Sequence, residues 1–133
     1  MRNLKRLEFE IKILEKTFGW RNISYPSDGS WIKINRFRLP QKICRYNLRF
    51  AVILIIIPYE YDIVGVSECY IDMDLRIRKG MVWDKLPHTH EKGYEEEGYQ
   101  WLCFEASIRF ISLLDFINTL NLYFTDPFRY QRL

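Results

Sequence analysis

Two histidines and a cysteine stand near one another in the stretch from Leu86-Pro-His-Thr-His90 to Tyr99-Gln-Trp-Leu-Cys103, separated by a Gly/Tyr/Glu-rich segment. A thiol with a base at hand can act as a nucleophile, since the thiolate attacks while an imidazole or backbone N–H stabilises the charge that forms. The same residue types can hold zinc, with His88 and His90 as ligands of a metal-dependent hydrolase and Cys103, Glu95, Glu96 or Glu97 completing the set. Structural zinc sites draw on two close ligand pairs, however, and catalytic ones need three convergent ligands. Neither a metal nor another cofactor is therefore expected. Free cysteine is usually a small buried apolar residue, which is the reading for Cys44 and Cys69. Cys103 differs, because Glu105, Ser107 and the upstream histidines lie within its reach.

These groups need a scaffold, and the chain has the length for one. Its 133 residues, 48% hydrophobic and 28% charged, suit a single domain over 1–133 with a true core. Leu4, Leu7, Ile11, Leu14 and Phe18 repeat at helical steps with charges between them, which predicts an amphipathic helix ended by Gly19. Trp31 to Phe37 suits a strand. The β-branched run from Leu48 to Ile57 reads as a central strand buried on both faces, and Val66 to Ile71 as a further short one. Asp72 to Trp101 shows little periodicity and is expected to be mostly loop. Ser112-Leu-Leu-Asp115 opens like a capping box, and Leu114, Ile117, Leu120 and Phe124 continue at helical spacing until Thr125-Asp-Pro127 stops them. The expected fold class is α+β, an antiparallel β-meander flanked by an N-terminal and a C-terminal helix.

Charge and cysteine usage exclude several classes. The formal charge of +3 comes from 20 basic and 17 acidic residues interleaved along the chain, so nucleic acid is not an expected partner. Three cysteines give neither a CxxC pair nor an even disulfide framework, and no leader pattern opens the chain, which reads as cytoplasmic. Phe50 to Ile57 falls far short of the ~20 apolar residues a membrane span needs, so no membrane partner is expected. Aromatic residues make up 17% of the chain, and such a share is compatible with a partner surface.

The order of features resembles a ubiquitin-conjugating enzyme over almost the whole chain: a first helix, strands, Ile57-Pro-Tyr-Glu-Tyr61, a His-bearing loop, Leu102-Cys103, then Ser112 to Phe124 with Asp126-Pro127 as the exit. The His-Thr-His loop lacks the family's Asn, the Trp and Ser/Pro-Ala signature after the cysteine is absent, and the last two helices are trimmed. These departures look more like the prokaryotic branch, including the conjugating-enzyme-like proteins of short type II cyclic-oligonucleotide-based anti-phage systems (CBASS).

The resemblance implies a transferase in antiviral defence. Cys103 would accept the C-terminus of a partner protein as a thioester, with His88 or His90 as base or orienting group. Thr89, Tyr99 and Trp101 would contact the substrate, with Thr89, His90 or a backbone amide as oxyanion donor and Tyr94 also walling the groove. The partner would be a cyclic-oligonucleotide synthase or a ubiquitin-like protein, supplied by a separate activating enzyme. A non-catalytic conjugating-enzyme-like module that only binds is the alternative.

Overall fold

A computed structural model describes residues 4–61, 65–66, 68–90, 97–103 and 112–129. Helix α1 (Leu4–Phe18) buries Leu7, Ile11 and Leu14 as its apolar stripe requires, and one carboxylate, Glu10, along with them. It ends where expected. Gly19 adopts φ +89°, a left-handed conformation that glycine reaches without steric cost, and its N–H donates to the Glu15 carbonyl at 2.9 Å. The Asn22 side chain satisfies the Phe18 carbonyl at 2.7 Å.

Among the described residues eight strands follow: β1 (Ile23–Ser24), β2 (Trp31–Arg38), β3 (Phe50–Ile56), β4 (Glu68–Asp72), β5 (Ile77–Lys79), β6 (Val82–Asp84), β7 (Thr89–His90) and β8 (Tyr99–Cys103). Six of them form one antiparallel sheet in the order β1-β2-β3-β4-β8-β7, and β5 pairs with β6 as a separate hairpin. Strands β2, β3 and β4 are the expected meander, which β1 extends on one side; β8 then adds beside β4 and β7 takes the edge. Among its described residues, Asp72 to Trp101 divides evenly between strand and turn or loop, ending β4, supplying β5 to β7 and beginning β8.

The register sorts side chains into two faces. Ile23, Ile34, Ile53, Ile71 and Gln100 lie level across five strands, all buried in the core. One residue away, Ser24, Lys33, Leu54, Tyr70, Trp101 and His90 form the matching row on the opposite face. The central strand β3 buries Ala51, Ile53 and Ile55 on the first face and Leu54 on the second. Each of these isoleucine and leucine side chains contributes about 1.5–3 kcal/mol through removal from water. A register shift between Ile34 and Phe37 exchanges the inward positions, so that Ile32 and Ile34 face the core before it, and Phe37 and Leu39 after it.

Helix α2 (Leu113–Thr125) completes the core with Leu113, Phe116, Ile117, Leu120, Tyr123 and Phe124. Leu114, which the spacing put inside, is exposed, and Leu113 takes its place. Ser112 caps the helix, its hydroxyl accepting from the Asp115 N–H at 3.5 Å. A stronger contact comes from the other helix, since Glu10 Oε1 accepts the Leu113 N–H at 2.8 Å. The Tyr61 hydroxyl donates to the same carboxylate, Arg6 Nε lies 3.5 Å from it, and the Arg6 guanidinium sits 4.8 Å from the centre of the Tyr61 ring. Burial of these groups holds the Tyr61 phenol pKa above its ordinary range, with the Glu10 charge next in effect.

Candidate functional site

Strands β7 and β8 bring the His-Thr-His and Leu-Cys segments side by side. Thr89 pairs with Leu102 and His90 with Trp101, and the Cys103 N–H donates to the His88 carbonyl at 3.1 Å. Alternation along β8 turns Gln100 and Leu102 into the core and leaves Tyr99, Trp101 and Cys103 half-buried on the opposite face. Cys103 is the last residue of its strand, directly across from position 68 of β4. His90 is exposed, and its ring lies 5.6 Å from that of Trp101.

His88 occupies a left-handed backbone conformation, φ +66°, which a residue other than glycine holds at a cost of roughly 1–2 kcal/mol. Its surroundings fix it from three sides. The His88 carbonyl is bound to Cys103, its ring packs edge-on against Tyr123 at 6.4 Å, and the Tyr123 hydroxyl donates to the Pro87 carbonyl. Tyr123 is wholly buried, and that burial holds its phenol in the protonated, donating form. The strained turn is therefore tied to α2 by the one polar group in the buried stripe of that helix.

Thr89 is buried, with its hydroxyl donating to the Leu86 carbonyl at 2.7 Å, so that group closes the turn from within. Tyr99 joins Trp31, Lys33, Leu54, Ile56 and Glu97 around an open hollow of about 260 Å³ on the face that carries Cys103. Asp72, opposite Tyr99, accepts the Val52 N–H at 2.7 Å; burial pushes its carboxyl pKa up, and that hydrogen bond partly opposes the shift. The Cys69 reading holds, as its side chain is wholly buried. Cys44 is half-buried, with its sulfur 3.7 Å from Asp126 Oδ1, and burial followed by the Asp126 charge raises its thiol pKa.

Cys103 and His88 thus meet through the backbone, His90 and Trp101 through their rings, and Tyr99 shares their sheet face, while the Thr89 hydroxyl points elsewhere. Tyr94, Glu95, Glu96, Glu105 and Ser107 lie outside the described residues. Among the described residues no three His, Cys, Asp or Glu side chains converge as metal ligands, and no helix is long and apolar enough to cross a membrane. Tyr123 escaped the sequence reading. The available indication was a tyrosine three residues after Leu120 on the buried stripe, where its hydroxyl needs a partner.

No protein-family model matches the chain, and neither a curated protein nor a solved structure matches it.

Proposed function

We propose that the chain is a cytoplasmic, prokaryotic ubiquitin-conjugating-like transferase in which Cys103 carries an acyl group as a thioester. The observation that carries this reading is the antiparallel pairing of β7 with β8. It sets a half-buried thiol at a strand end and binds it through the backbone to a histidine turn.

In the first step the Cys103 thiolate attacks the carbonyl carbon of a protein C-terminus already activated as a thioester on a separate enzyme. The new C–S bond forms, the donor's C–S bond breaks, and the donor sulfur leaves as a thiolate. In the second step an amine attacks, a C–N bond forms, and Cys103 is released as the thiolate. His90, exposed beside Trp101, is the group to take the amine proton, its imidazole nitrogens being open to an incoming nucleophile on the face that carries Cys103. His88 acts through the backbone, fixing the end of β8. The hollow lined by Trp31, Leu54 and Tyr99 offers an apolar bed for the carried tail. In the narrower form of the proposal, that tail belongs to a cyclic-oligonucleotide synthase of a CBASS operon.

The test is co-expression with the neighbouring genes of its operon, followed by non-reducing electrophoresis and intact mass. A thiol-labile adduct that disappears in Cys103→Ala, and becomes thiol-stable in Cys103→Ser or Cys103→Lys, is the expected result. Partner binding that persists in Cys103→Ala, with no adduct in the wild type, assigns a binding module instead.

A further inference from the structure

The charges interleave over much of the chain, but its central part is cationic and the fold gathers that part into one place. From Gly29 to Tyr59 there is no Asp or Glu, while Lys33, Arg36, Arg38, Lys42, Arg45 and Arg49 fall within the same span. Two open hollows, of about 470 and 710 Å³, run into one another where both are lined by Arg38, Phe50 and Asn121. Arg36 lines the first, Lys42 and Arg49 the second, and among the described residues no carboxylate lines either. All four cations are exposed, and among the described residues none is held in an ion pair.

The groove is a consequence of the fold. Beyond the register shift Phe37 turns inward, so Arg36 and Arg38 stand outward on the part of β2 that β1 does not reach. Two residues of strand separate them, about 6.8 Å. The Arg36 guanidinium lies over the half-buried Phe50 ring at 4.2 Å. Across the groove, α2 presents the exposed Asn118 and Asn121, whose side-chain amides have no hydrogen bond among the described residues. The loop carrying Lys42 is braced, because Gln41 accepts the Tyr46 N–H at 2.8 Å and donates to the Leu48 carbonyl at 3.0 Å.

We propose that this groove binds single-stranded nucleic acid, with backbone phosphates on Arg36, Arg38, Lys42 and Arg49 and a base stacked on the Arg36–Phe50 pair. Guanidinium forks match phosphate oxygens, and a ring with a guanidinium over it is a platform that only an unstacked base can use. The amides of Asn118 and Asn121 can read a base edge as donor or acceptor. An acidic peptide would satisfy the cations but would leave the stacking platform and the amides without a role. The groove lies at the Arg38–Phe50 end of the sheet, whereas Cys103 ends β8 at the opposite end, so binding does not depend on the thiol.

Fluorescence anisotropy with a short labelled oligo-dT or oligo-rU strand tests this on the full chain. Binding at low salt is expected, weakened at least about tenfold in Arg36→Glu/Arg38→Glu and in Phe50→Ala. It should be retained in Lys5→Glu/Lys85→Glu, which makes the same charge change elsewhere, and in Cys103→Ala. In the milder Arg36→Gln/Arg38→Gln variant the slope of log K against log salt should fall by about 1.4, at 0.7 for each lost phosphate contact. Equal loss in the two charge-reversed variants, displacement of the strand by polyglutamate of equal charge, or no binding at low salt would each overturn the proposal. Circular dichroism confirms that each variant is folded.

Discussion

Tyr123, in the last helix, donates its hydroxyl to the carbonyl of Pro87, the residue that precedes the left-handed His88. The relationship links the least regular backbone of the candidate site to the best-packed helix of the core. It gives Tyr123 a positioning role that its burial alone does not suggest.

Tyr123→Phe keeps the ring and removes the donor, leaving the Pro87 carbonyl without that partner. A loss of about 1–2 kcal/mol in urea unfolding is expected, with faster alkylation of Cys103 as the turn loosens. An unchanged alkylation rate would confine Tyr123 to the core.

Two caps serve α2, and they should differ in weight. Ser112→Ala removes a long 3.5 Å contact and is expected to cost about 0.5 kcal/mol, the low end for a cap. Glu10→Ala strips the partner from Leu113 N–H and Tyr61 together, for an expected loss of about 3 kcal/mol. Denaturant midpoints of the two variants decide the order.

Alkaline pH should unfold the protein through its buried phenols. Tyr46, Tyr61 and Tyr123 have their pKa values raised above the ordinary 10.0, by burial first in each case. All three donate hydrogen bonds, to the Phe124 carbonyl, Glu10 and the Pro87 carbonyl respectively. The folded state therefore retains protons that the unfolded state releases. This contribution to stability is complete below pH 10 and declines as pH rises beyond it. Unfolding followed between about pH 8 and 11 checks the sign, and a Tyr46→Phe/Tyr61→Phe variant should flatten the decline.

Asp72 has the opposite value to the fold at neutral pH. Its folded pKa is raised above 3.8, so its favourable contribution exists below that value and is lost as pH climbs through the folded pKa. Asp72→Asn retains an acceptor for the Val52 N–H. It should be more stable than the wild type at pH 7 and match it in acid.

Much of this architecture could be read from residue spacing. The stripe from Leu4 to Phe18 and the breaker Gly19 gave α1, and the apolar run around Ile53 gave the central strand. Strand β8 was hidden because its polarity is reversed: Gln100 is buried, its side chain donating to the Asp72 carbonyl at 2.9 Å, while the large aromatics Tyr99 and Trp101 lie on the other face. Strands β5 and β6 expose Lys79, Val82 and Trp83, so hydrophobic alternation could not report them. The overlooked indication was Gly80, φ +63°, in a two-residue hairpin loop. At the site, the nearness of the histidines to Cys103 was legible. The tie to Tyr123 was not, because it joins segments 36 residues apart.

The capping of α2 by Glu10 spans 103 positions of sequence and has a bearing on biosynthesis. A nascent chain that has released Glu10 and Tyr61 but not yet Leu113 holds a carboxylate that cannot be buried in its final place with its full set of partners. The first helix is therefore expected to dock only after the start of α2 has left the ribosome. Products that stop before Leu113 would expose the apolar stripe of Leu7, Ile11 and Leu14, which would mark them for proteolysis.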